Sequence, residues 1–172
     1  GYSIEKYALH GEGDYIIPLL LFIPENGSKV TGVIYVHPNG KSADASVGGK
    51  IEQLVKKGYL VAAPDVIGVG EVEDNTYGSN YLSMMIGRSV IGIQAGDVIR
   101  VANFLKSRPD VDPGKIGAVA FDEMCQPLLH ASAFNKSINS TTLIGSLISY
   151  KSAVMNKFYN TEFLKYFVAG AL

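Results

Sequence analysis

Cysteine occurs once in the 172 residues, at Cys125, and histidine only three times, at His10, His37 and His130. A single thiol excludes an internal disulfide and any multi-cysteine metal site, and it is compatible with a reducing or an oxidising compartment. We expect neither a metal nor a cofactor. A basic excess is missing too: 15 Lys and Arg stand against 16 Asp and Glu, a formal charge of -1, and no segment gathers basic residues with interleaved aromatics. Without that electrostatic footprint no nucleic-acid partner is expected. No apolar run reaches the roughly 18 residues of a spanning helix, so no membrane span is expected either. The N-terminus lacks the charged-then-apolar pattern of a signal peptide. Since a leader can be removed before Gly1, periplasmic or secreted export stays open and the compartment is undetermined.

What is present is a regular alternation of apolar runs. The length suits one domain, 1-172, with a real core. Ser3 to Leu9 and Asp14 to Ile23 read as two strands joined by the turn residues Gly11-Glu12-Gly13-Asp14. Thr31 to His37 is a short β-branched run of the kind buried on both faces of a parallel sheet. From Ala45 to Lys57 the residues Val47, Ile51, Leu54 and Val55 form a helical stripe, closed by Gly58 in the position of a left-handed cap. Tyr59 to Pro64 reads as the next strand, and Ile91 to Ser107 as a helix with Val98, Val101, Ala102 and Leu105 inward and Asp97 and Arg100 on its polar side. Lys115 to Phe121 (strand), Met124 to Phe134 (helix) and Thr141 to Leu147 (strand) complete the series. Strands alternating with helices predict an α/β fold, a mostly parallel sheet covered by helices.

Three stretches together resemble a family. Val33-Ile34-Tyr35-Val36-His37-Pro38-Asn39-Gly40-Lys41 looks like the strand and polar loop that supplies an oxyanion-hole N–H in α/β hydrolases. Gly58 to Glu71, with Pro64-Asp65-Val66-Ile67-Gly68-Val69-Gly70, is similar to the fourth strand and its Pro-Asp-x-x-Gly-x-Gly turn. Gly87-Arg88-Ser89, Arg108 to Asp112 and Lys115-Ile116-Gly117 resemble the approach to the nucleophile elbow in acetyl xylan esterase and dienelactone hydrolase-like members. Ser149 to Tyr159 is similar to a segment that follows the sixth strand in the esterase branch. The resemblance implies a three-layer α/β-hydrolase-like fold lacking its last strands. In it the strand ending at Phe121 lies centrally, with the Tyr35 and Leu60 strands on one side and the Leu143 strand on the other. It also implies an ester hydrolase acting on acylated carbohydrate.

The elbow departs from the family's pattern. The G-x-S-x-G turn holds its nucleophile in a strained backbone and needs small neighbours. Here the turn reads Ala120-Phe121-Asp122-Glu123-Met124, so Asp122 occupies the nucleophile position and Met124 the place of a glycine. The resemblance puts His37, Asn39, Gly40 and Glu123 around the oxyanion site. Asp122 has two readings: a carboxylate nucleophile that attacks carbon, as in haloalkane dehalogenase-like relatives, or a helix N-cap beside Glu123 in the helix dipole. We take the cap as the expectation, because Met124 should spoil the elbow and no base is evident. Cys125 is read as a small buried hydrophobe.

A triad is hard to assemble. The family's acid and histidine follow strands seven and eight. His10 lies by a hairpin, His130 on a helix, and His37 matches a loop-shaping residue. Gly68-Val69-Gly70 lacks dinucleotide spacing, and the acceptor-like tripeptides at Asn26, Asn135 and Asn139 decide nothing without a secretory context. The expectation is therefore a hydrolase-like chain impaired in catalysis, the alternative a non-catalytic interaction or carbohydrate-binding module on the same scaffold. An apolar edge at Leu143, Ile144 and Leu147 is expected to pair with a second copy or a missing C-terminal portion, and Phe163 to Ala169 to fold back over that edge or, the favoured reading, to dock on a second subunit.

Overall fold

The structure is a computed structural model that describes residues 1–25, 29–73, 82–156, 158 and 168. Strands β1 (Tyr2–His10) and β2 (Ile16–Pro24) form an antiparallel hairpin. They lead into β3 (Val30–Val36), α1 (Lys50–Lys56), β4 (Leu60–Pro64), α2 (Val90–Ser107), β5 (Val111–Phe121), α3 (Cys125–Phe134), β6 (Ser140–Ile144) and α4 (Tyr150–Met155). One six-stranded sheet results, in the order β1-β2-β4-β3-β5-β6. The strands β4, β3, β5 and β6 are parallel, and β2 joins β4 antiparallel. The strand ending at Phe121 thus has the Tyr35 and Leu60 strands on one side and the Leu143 strand on the other, as expected.

Alternation along each strand sorts the core into two layers. Ile34, Val36, Ala118 and Ala120 point to the side of α2 and α3, where Val98, Val101, Leu105, Met124 and Leu128 close over them. Tyr35 and Phe121 point the other way, to α1 with its Ile51 and Val55. Leu105 and Leu128 are fully buried, each contributing roughly 1.5–3 kcal/mol by removal from water. Helix α2 starts where the Ser89 hydroxyl accepts the Gly92 N–H at 3.0 Å, and it stops before Pro109.

Some elements differ from expectation. Helix α1 begins at Lys50, and Val47 is 90% exposed rather than part of the stripe. Gly48, at a φ of +81°, turns the chain just ahead of it. Its end is as read: Gly58 at a φ of +89° lets its own N–H reach Val55 and the Tyr59 N–H reach Leu54, at 2.9 and 3.2 Å. Asp97 is on the inner side of α2, fully buried, because its carboxylate serves the loop after β4. Strand β6 stops at Ile144, where Gly145 takes a φ of +73°. Among the described residues β6 is the edge strand, mostly hydroxyl-bearing, with Ser140, Thr141 and Thr142 exposed and Ile144 the apolar exception at 46%. It is not the apolar edge expected. Phe163 to Phe167 and Ala169 lie outside the described residues.

Candidate functional site

Because β3 and β5 are adjacent and parallel, with Val36 opposite Ala120, the loop after β3 and the turn after β5 emerge side by side at the carboxyl ends of the strands. This is where open α/β sheets place their sites. The His37 and Phe121 rings lie 5.2 Å apart, so His37 stands beside the residue that precedes Asp122, while Gly40 packs on Asp65 and Gly70. His10 lies on β1 and His130 on α3.

The turn after β5 has the backbone of an elbow. Asp122 adopts a φ of +47°, the one non-glycine among the described residues with a positive φ. Such a conformation costs an L-residue about 1 kcal/mol and persists only where surrounding packing enforces it. That packing is visible. Phe121 closes the α1 layer, Met124 is 1% exposed in the opposite layer, and the chain passes through a short 3-10 turn, Asp122–Met124, into α3. Met124 does not spoil the turn, contrary to expectation, because its flexible side chain is taken up by the core. The N-cap reading of Asp122 fails as well: neither the 3-10 turn nor α3 receives a side-chain cap bond. The Asp122 carboxylate instead stands exposed at the tip and leans over Gly145, where a Cβ would collide with Oδ1. Cys125 is a buried thiol as expected, donating to the carbonyls of Ala120 and Ile144 at 3.3 and 3.4 Å; burial pushes it above the ordinary thiol range.

The loop after β3 is closed on itself. Pro38 has no N–H to offer. The Asn39 N–H donates to His37 Nδ1 at 3.1 Å, the Gly40 N–H to the His37 carbonyl at 3.0 Å, and the Lys41 N–H to Asp65 Oδ1 at 2.6 Å. The N–H groups of residues 39 to 41 thus each have an acceptor within the chain, that of exposed Asn39 at the surface. Glu123, in contrast, lies in the first turn after the elbow, where a helix supplies no acceptor for its N–H.

Asp65 is the node beneath this loop, a role the sequence reading did not give it. It is 1% exposed at the end of β4 and also accepts the Glu71 N–H at 3.0 Å and the Lys41 ammonium. Lys41 reaches Glu71 as well, at 2.7 Å. Burial alone would lower the Lys41 ammonium, yet its bonds to the two carboxylates hold it above lysine's ordinary value. Gly40 and Gly70, at φ of +79° and +62°, pack directly on the Asp65 carboxylate, where a side chain would not fit. The signal for such a node was the charged residue directly after the fully apolar strand Leu60–Pro64. On its far side the turn is tied to α2 by the Ile67 N–H on Asp97, at 3.0 Å, and by Gln94 on the Ile67 carbonyl, at 2.9 Å.

No group of His, Cys, Asp and Glu among the described residues is arranged to hold a metal ion, and no helix there is long and apolar enough to cross a membrane.

No protein-family model matches the chain, and no curated protein does. Solved structures do match. A candidate acetyl xylan esterase from Bacteroides fragilis NCTC 9343 superposes with a TM-score of 0.72 at 21% identity, covering 82% of this chain and 44% of that one. For an acetyl xylan esterase from Paenibacillus sp. R4 the TM-score is 0.68 at 20% identity, with 81% and 48% covered. Acetyl xylan esterase 1 from Thermoanaerobacterium sp. JW/SL YS485 gives 0.67 at 19%, with 81% and 47% covered. The chain therefore spans about half the length of the solved structures it matches. Its fold is that of the α/β hydrolases, in an arrangement similar to that of the acetyl xylan esterases.

Proposed function

We propose that this chain is the elbow-bearing part of an α/β-hydrolase protein related to esterases of acylated carbohydrate, and that it does not hydrolyse esters by the serine route. The observation that carries this reading is Asp122 at a φ of +47° on the turn between β5 and α3. The scaffold of the elbow is present, and an acceptor-only carboxylate stands where a hydroxyl nucleophile would be. Two further features support it. The loop N–H groups of residues 39 to 41 are occupied internally, and His37, the histidine by the elbow, spends Nδ1 on its own loop. A ligand of this site would be an acylated sugar held at the carboxyl ends of β3 and β5, and association with another copy of the chain is part of the proposal. The test is turnover of an activated aryl acetate by the chain and by Asp122→Ala; equal, buffer-level rates support the reading.

A second reading draws on the same backbone angle. A carboxylate held in the elbow conformation, exposed and free of capping bonds, is placed to attack carbon. One Oδ would bond to the carbon as the leaving group departs with its electron pair, and water would then cleave the aspartyl ester at its acyl carbon. Halide release from a short haloalkane, absent in Asp122→Asn, would favour this reading over the first.

A further inference from the structure

Asn39 stands where the site loop can change its own chemistry. It is exposed, its side-chain amide makes no hydrogen bond among the described residues, and Gly40 follows it. In an asparagine before glycine the next backbone nitrogen reaches the side-chain carbonyl carbon most easily, because no Cβ stands in the way. Asn103, Asn135, Asn139 and Asn156 are each followed by a residue with a side chain, and Asn26-Gly27 lies outside the described residues. The folded loop holds the Gly40 nitrogen back. Its N–H donates to the His37 carbonyl at 3.0 Å, closing the turn His37-Pro38-Asn39-Gly40. Gly40 is buried, at a φ of +79°, and packs on Asp65 and Gly70. The Asn39 N–H donates to His37 Nδ1 at 3.1 Å. His37 thus fixes the peptide N–H groups on both sides of the Asn39 side chain, one through its ring and one through its carbonyl, and the nitrogen can swing over the amide carbon only when the turn opens.

We propose that Asn39 is a site of spontaneous deamidation gated by His37, so that lasting opening of the turn converts the loop irreversibly. The Gly40 nitrogen gives its proton to water and bonds to the Asn39 side-chain carbonyl carbon, whose bond to the amide nitrogen breaks as ammonia leaves with that electron pair and a proton. Water then adds to either carbonyl of the cyclic imide, breaks that carbon's bond to the Gly40 nitrogen and returns a proton to it, giving aspartate or isoaspartate. One water is consumed and one ammonia released, with no oxidant or reductant. Either product adds a carboxylate to the end of the sheet that carries Asp122 and Glu123. Isoaspartate also lengthens the main chain by a methylene just before Gly40 has to meet Asp65.

This assignment is independent of the reading of Asp122. To test it, the unaltered chain, His37→Ala and His37→Asn are held in mildly alkaline buffer, folded and in concentrated urea, and conversion at Asn39 is followed by peptide mapping with mass spectrometry. Asn39 of the unaltered chain is expected to convert more slowly folded than in urea. His37→Ala raises the folded rate about fivefold and leaves the rate in urea unchanged. His37→Asn, which keeps an acceptor near the position of Nδ1, stays close to the unaltered chain. Thermal melts report that both variants fold. An unaltered chain that converts equally fast folded and in urea, or an Asn39 that stays intact in urea, would overturn the proposal whether or not a variant folds. So would a folded rate indifferent to His37→Ala, or one raised as much by His37→Asn.

Discussion

Asp65 and Lys41 are joined twice: one carboxylate oxygen of Asp65 accepts the Lys41 N–H, and the other meets its ammonium, with both residues buried. Removing one member leaves the other charge stranded, which is costlier than the net worth of the pair. In Asp65→Asn the negative charge is lost and the amide N–H₂ faces a donor of Lys41 in either orientation, its ammonium or its backbone N–H, with exposed Glu71 as the remaining counter-charge. We predict a loss of about 3 kcal/mol in urea unfolding. A change under 1 kcal/mol would mean that the node does not hold the loop.

The close approach of Gly145 to Asp122 gives the next prediction. Gly145→Ala introduces a Cβ against Asp122 Oδ1 at a position whose φ is +73°. Backbone strain alone costs about 1–2 kcal/mol, so a fall in stability of at least that size is expected by thermal unfolding. Asp122→Gly should move the other way, by up to about 1 kcal/mol, since it releases the strain at the elbow.

Met124 separates a packed elbow from a degenerate one. If its side chain fills the core as described, at 1% exposure, Met124→Ala costs about 3 kcal/mol. A neutral substitution would show that the turn does not depend on it.

Acid should reveal Asp97. Burial pushes its carboxyl above the ordinary value, against the lowering effect of the Tyr15 hydroxyl and the Ile67 N–H. The folded protein then binds this proton more tightly than the unfolded chain, so the contribution to stability grows as pH falls through the folded pKa and is complete below the unfolded value. The Tm of the parent chain relative to Asp97→Asn is therefore expected to improve on going from pH 7 towards pH 4. A difference that shrank over that range would contradict the assignment.

The parallel sheet was legible because β3, β4 and β5 are apolar runs of the kind that a doubly covered sheet buries, whereas the strand order followed from the resemblance to α/β hydrolases. The elbow's position was legible by counting along β5, but its conformation was not. Asp122 followed by Glu123 suits a helix start equally well, and only the strand-to-helix packing of Phe121 and Met124 selects the strained alternative. The start of α1 was misjudged because Val47 fits a helical stripe, whereas Gly48 and Gly49 govern the backbone there. In sequence Asp65 reads only as part of a turn, since a carboxylate that satisfies N–H groups from two separate loops leaves no periodic trace.

The hydrogen bond from the Asn39 N–H to His37 Nδ1 is what closes the loop at the site. A neutral hydrogen bond contributes about 1 kcal/mol, so His37→Ala should speed exchange of the Asn39 amide about fivefold while amides in β3 stay protected. Unchanged exchange would remove the argument that this donor is occupied.

The most direct measurement is hydrolysis of an activated aryl acetate by the unaltered chain, beside Asp122→Ala and His37→Ala. With a carboxylate on the elbow and the loop donors occupied, the release rate should equal that of buffer in all three. Turnover well above buffer that disappears in Asp122→Ala or His37→Ala would contradict the account.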